Sequence, residues 1–124
     1  MMAFVLIFLG GGLGAVARHG VSLAGLRLAG PVFPVGTLTV NVIGSLAMGL
    51  LIGWMARHGG TTPMRLLLAT GFLGGFTTFS AFSLDAVVLW ERGAIVLAAA
   101  YVAASVTLAI AAVFAGLWLM RQGG

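Results

Sequence analysis

The sequence predicts an all-α integral membrane protein of four transmembrane helices, the third of them broken, in a single domain over residues 1–124. Three observations predict it. Hydrophobic residues make up 61% of the chain and charged residues only 6%, whereas an ordinary soluble domain is about 25% charged. So few charges cannot cover a small protein, whose surface is large for its volume, and the mean hydropathy of +1.20 agrees. Second, four apolar stretches each reach the roughly 20 residues that a hydrocarbon core about 30 Å thick requires. Third, one of the four contains a run of glycine, threonine, serine and phenylalanine unlike anything in the others.

The first span covers about residues 3–24 and is interrupted only by Arg18-His19. A signal peptide is not expected there, because Met1-Met2-Ala3 lacks a positively charged leader segment. The stretch from Arg27 to Pro34, with Gly30, Pro31 and Pro34, reads as the first loop. The second span, 35–56, has no charged residue between Arg27 and Arg57. RHGGTTP, from Arg57 to Pro63, predicts a turn and a helix start, with Thr61 or Thr62 as N-cap and Pro63 at the first helical position.

In the third span, 64–90, MRLLLA and LDAVVLW read as helix, and TGFLGGFTTFSAFS lies between them from Thr70 to Ser83. Glycine, threonine and serine are weak helix formers. At membrane depth an interrupted helix is tolerated only where its freed backbone groups face protein or a water-filled cavity. The fourth span, 94–120, follows the turn Glu91-Arg92-Gly93 and ends at Arg121.

The net charge of +4 comes from single, scattered arginines. A nucleic-acid partner needs a clustered basic patch, and none is present. With no cysteine there is no disulfide framework, thiolate nucleophile or cysteine metal site. His19 and His58 stand beside Arg18 and Arg57 and read as headgroup-facing. No catalytic constellation emerges, so an enzyme is not expected.

Four spans place Arg57, Arg65 and Arg121 on one side of the membrane and Arg18, Arg27 and Arg92 on the other. The positive-inside rule works on a difference between sides, and here there is none. Insertion in both orientations and an antiparallel homodimer follow naturally from that balance; the competing reading is that the amino terminus or a partner breaks the tie. Close helix packing is expected at Gly10/Gly14, Gly11/Ala15 and Ser45/Gly49/Gly53, each spaced by four residues on one helix face. Which of these seams lies between subunits is open.

Polar residues inside membrane spans are costly unless paired, so each marks a candidate site. Asn41, early in the second span, reads either as a donor to an anion or as a tie between helices. Arg18 reads as a snorkelling arginine or as part of a site. Carbonyls of Gly71, Gly74, Gly75 or Thr77 in the broken segment are candidate cation ligands. Phe76, Phe79 and Phe82 recur every three residues, which suits core packing and equally an anion path along positive ring edges. Tyr101 and Ser105 share one face of the fourth span as a possible hydroxyl track. Asp85 and Arg65, flanking the break, are expected near headgroups.

GGGLGAVARH from Gly10, GTLTVNVIGS from Gly36 and above all GFLGGFTTFSAFSLD from Gly71 resemble the small four-span fluoride channels of the Fluc or CrcB type, over nearly the whole chain. The resemblance implies an antiparallel, dual-topology homodimer in the bacterial inner membrane that passes fluoride passively down its electrochemical gradient. It also assigns residues. Asn41, Phe79, Ser80, Phe82, Tyr101 and Ser105 match the fluoride pathway, Arg18 matches the arginine at the aqueous entrance, and the carbonyls of Gly74 and Thr77 match those holding a structural sodium ion at the dimer centre. Two residues depart from the pattern: Ala81 stands where threonine is frequent, and Asp85 where glutamate is usual. The implied partners are fluoride, the lipid bilayer and a second copy of the chain; no ATP motif suggests a nucleotide. Two rival readings remain. A small proton-coupled, dual-topology exporter would be expected to carry an acid in its first two spans, which have none. A non-transporting assembly subunit would leave the broken third span without a purpose.

Overall fold

A computed structural model of the chain describes residues 1–123. Four helices long and apolar enough to cross a membrane run over Met2–Ala29, Val35–His58, Thr62–Glu91 and Ile95–Gln122. The first two are continuous helices, α1 and α2. The third span has two halves. Its first half, α3, starts as Thr62–Arg65, widens to a π-helix over Leu66–Leu73 and closes with the short turn Gly74–Phe76. Its second half, α4, is Phe79–Glu91, and the last span, α5, is Ile95–Gln122.

Each connection turns on a glycine with positive φ: Gly30 at 76°, Gly59 at 77° and Gly93 at 82°, a region that costs glycine nothing. Gly30 also ends α1 by donating its N–H to the Leu26 carbonyl at 2.9 Å. The first helix therefore runs five residues beyond its expected end at residue 24. Arg27 does not stop it, since a basic residue in the last turn suits the helix dipole and its long stem reaches toward the interface. At the start of α3, Thr61 is the N-cap and accepts from the Met64 N–H at 3.3 Å, which places Pro63 second rather than first in the helix.

Helices α1 and α3 pack together, as do α2 and α5. Both pairs use glycines where two backbones meet. A β-carbon on Gly14 would land on the Phe72 carbonyl, and one on Gly10 on the Leu67 carbonyl. One on Gly49 would land on the Val113 carbonyl, and Gly53 lies against Met120. Gly10/Gly14 and Gly49/Gly53 are thus seams within one chain. A core of Phe82, Leu89, Ala98 and Tyr101 joins α4 to α5. Val40, Ala69, Leu73 and Phe76 are buried where α2 and α3 meet their neighbours, but in α1 only Gly10 and Gly14 are buried, and many large apolar side chains face outward.

Candidate functional site

The third span breaks where side chains replace main-chain partners. Thr77 and Thr78 are extended, with φ/ψ of −86°/157° and −152°/121°. In an unbroken helix the Thr78 N–H would donate to the Gly74 carbonyl. Here it donates to Asn41 Oδ1 at 2.7 Å, and Asn41 Nδ2 donates to the Thr78 carbonyl at 3.0 Å. One side-chain amide therefore satisfies both polar groups of Thr78. The Ala81 N–H, due to the Thr77 carbonyl in a continuous helix, goes instead to Thr78 Oγ1 at 3.1 Å, the N-cap of α4. Gly75 is closed from outside its own helix, because Arg18 Nε donates to its carbonyl at 3.0 Å. Thr77 folds back, and both its N–H and its hydroxyl donate to the Leu73 carbonyl at 3.0 and 2.9 Å. The carbonyls of Gly74 and Thr77 thus lose their helical donors, while that of Gly75 is occupied.

Asn41 reaches Thr78 because α2 comes close at the next turn, where Gly44 has no side chain. A β-carbon there would land on Thr77 Cγ2. Beside this contact lies a groove of about 420 Å³ whose lining includes Asn41, Ser45, Thr77, Thr78, Phe79, Phe82 and Ser105. Phe79 and Phe82 lie 5.4 Å apart at 58° between ring planes, but in different surroundings. Phe82 is buried, while Phe79 is 77% exposed. Phe76, the third member of the periodic set, is buried and stacks on Phe72 at 5.9 Å and 13°, which settles it as packing.

Four of the sequence-assigned pathway residues, Asn41, Phe79, Phe82 and Ser105, therefore meet on one groove. Ser105 Oγ is buried with no hydrogen-bond partner in the described chain. Tyr101 stands behind the groove, fully buried, with its ring 5.3 Å from Phe82. Ser80 is exposed, its Oγ 3.3 Å from Thr78 Oγ1. Arg18 is held at the break by its bond to Gly75.

Asp85, expected near headgroups, is half-buried and accepts a hydrogen bond from the Tyr101 hydroxyl at 3.1 Å, a partner the sequence did not indicate. Sequence reasoning also missed the Arg18–Gly75 tie and the two roles of Thr78. Threonine is a favoured N-cap residue, which is the one local signal for Thr78, but the tie joins residues 57 positions apart, and no local pattern reports it. Among the described residues no three His, Cys, Asp or Glu side chains converge.

Residues 5–117 match the family described as CrcB-like protein, Camphor Resistance (CrcB). The chain belongs to that family. Similar CrcB-like proteins include one from Mesorhizobium japonicum, 54% identical over 98% of each chain. One from Rhodopseudomonas palustris is 57% identical over 97% of this chain and 98% of its own. A third, from Methylobacterium nodulans, is 55% identical over the whole of both. Each is described as a fluoride-specific ion channel FluC. The four spans and these bacterial relatives place the CrcB-like chain in the inner membrane as a multi-pass protein.

If Asn41 is what satisfies the break, Asn41→Leu strands one N–H and one C=O of Thr78 and destabilises the folded protein by about 2–6 kcal/mol, since each stranded group costs roughly 1–3 kcal/mol. Hydrogen exchange should show the Thr78 amide losing protection ahead of the amides of α4. Unchanged protection at Thr78 would mean that another group holds the break.

Proposed function

We propose that this chain conducts fluoride passively and selectively, as an antiparallel homodimer of dual topology with a sodium ion held between two third-span breaks. The observation that carries the reading is the groove: at membrane depth it sets donors without protein acceptors beside phenylalanine rings. One Asn41 N–H is engaged by Thr78 and the other by no described residue, and the Ser105 hydroxyl is unpartnered. Fluoride is small and strongly hydrated. It passes a narrow route only where N–H and O–H donors and positive ring edges take the place of water. The names of the similar proteins support the same ion.

A second copy is supported by what one copy leaves open. Phe79, Ser80 and Gly74 are all exposed beside the break, and the glycine seams at Gly10/Gly14 and Gly49/Gly53 are used within the chain. The break face is therefore the surface that another copy would complete. The balanced arginines support opposite insertion of the two. The freed carbonyls of Gly74 and Thr77 suit a hard monovalent cation, which takes oxygen ligands. A bound sodium ion would supply positive potential next to the groove, and the chain's part is to hold those two carbonyls away from helical donors.

Purified protein alone in fluoride-loaded liposomes should release fluoride once a counter-ion path is opened, and chloride-loaded liposomes should barely respond. Phe82→Ile should lower flux at least tenfold with little loss of folded dimer, while Phe8→Ile, on the exposed face of α1, should leave it unchanged. Equal chloride efflux sinks the selectivity, and strict dependence on a proton gradient favours a coupled exporter.

Dual topology is tested with His58→Cys in this cysteine-free chain, an exposed position that leaves the arginine count intact. An impermeant thiol reagent on intact cells should label about half the molecules, as the even arginine balance requires. Labelling of all or none rejects mixed orientation.

The sodium site predicts a different separation. A β-carbon on Gly74 has only the Ala69 carbonyl near it, at 3.6 Å, so the single chain has room for a side chain there. Gly74→Leu should fold with normal helix content but fail to form a dimer and lose the ion-specific anomalous scattering of the native protein. A stable, conducting Gly74→Leu dimer overturns the assignment.

A further inference from the structure

A second hollow, of about 250 Å³, opens where the first loop meets the end of α4, and its lining includes Phe33, Thr37, Asp85 and Arg92. It lies toward the membrane surface that carries the first and third loops, well past the break. Tyr101 connects it to the groove. The tyrosine ring is 5.3 Å from Phe82, which lines the groove, and 5.5 Å from Phe33, which lines the hollow. Its hydroxyl donates to Asp85, also in the hollow. One buried tyrosine thus touches an aromatic side chain of the groove and one of the hollow.

Resting on the fluoride reading above, we propose that this hollow is the second mouth of the pathway and that Arg92 is the charge that collects anions there. An anion entering from this end meets the Asp85 carboxylate before it reaches the donors of the groove, and that charge opposes it. Arg92, seven residues further on at the C-cap of α4 and lining the same hollow, is the cation placed to offset it. Its Nη1 donates to the Pro31 carbonyl at 3.4 Å, which tethers the guanidinium at the rim and leaves its other N–H groups available. Among the described residues no other cationic side chain lines the hollow.

A merely structural arginine would anchor the first loop through Pro31 and nothing more; a collecting arginine acts through its charge, which salt screens. Arg92→Cys separates the two in one folded protein. After flux by the unmodified chain is established, the purified variant is divided and modified with thiosulfonates carrying a trimethylammonium, an uncharged methyl or a sulfonate group. Efflux is read at fluoride low enough for entry to limit the rate. At low ionic strength each unit of charge should change flux about threefold, the Boltzmann factor for a charge roughly 7 Å from an ion in water, in the order ammonium, methyl, sulfonate. At 1 M inert salt, where the screening length is about 3 Å, the three should converge. Arg92→Lys and Arg92→Gln repeat the comparison should the cysteine variant fail to fold, with a salt-sensitive loss expected only for glutamine. Equal rates for all three adducts at low salt, or a loss that salt does not change, assign Arg92 to loop anchoring and overturn the proposal. Failure of the unmodified chain to conduct fluoride overturns the fluoride reading, and this inference with it.

Discussion

A peptide group released from a helix in the middle of a bilayer has no water to bond, and lipid offers neither donor nor acceptor. The centre of this chain is arranged around that constraint. Interrupting the third span at Thr77 and Thr78 frees main-chain groups, and three side chains settle them: Asn41 from α2, Thr78 from the break itself and Arg18 from α1. Because two of the three come from other spans, the break holds only when α1, α2 and the third span are assembled. The local conformation is a product of tertiary structure.

That arrangement also divides the carbonyls by use. Gly75 is taken by a guanidinium, and the Leu73 carbonyl receives both donors of Thr77. Gly74 and Thr77 are left with oxygen and no helical donor. A similar economy governs the side chains of the groove. Asn41 is held rigidly by two bonds to one residue, so its remaining N–H points in a fixed direction, and Ser105 sits buried in a helix whose packing supplies it no acceptor. Fixed donors without acceptors are costly for folding and useful only to a ligand that accepts hydrogen bonds.

The spans were legible from hydropathy, and three of them end within two residues of where composition put them. The exception, the end of α1, was misjudged because an arginine near a membrane surface need not end a helix. The broken segment was legible as a zone of weak helix formers, but its extent was not. Gly71, Gly74 and Gly75 all remain helical, because low propensity only permits a break, while an N-capping threonine and a clamping asparagine select the peptide at which it happens. Asn41 was visible as a polar residue with two readings, and the structure shows it tying helices with one N–H left over. The Asp85–Tyr101 bond and the Arg18–Gly75 bond join residues with no periodic relation, so nothing in the linear pattern announced them.

The π-helix between Leu66 and Leu73 has a consequence for how the gene can change. Its hydrogen bonds reach one residue further than those of an α-helix, so the segment holds more chain in the same axial length. Deleting one residue there would let the winding tighten to α and absorb the loss, so that Thr78 stays close to its position opposite Asn41. The same deletion in α2 between Asn41 and the Gly49 seam has no such slack and would turn the asparagine about 100° out of place. The number of residues is therefore less constrained in this stretch of the third span than in the regular helices that clamp the break.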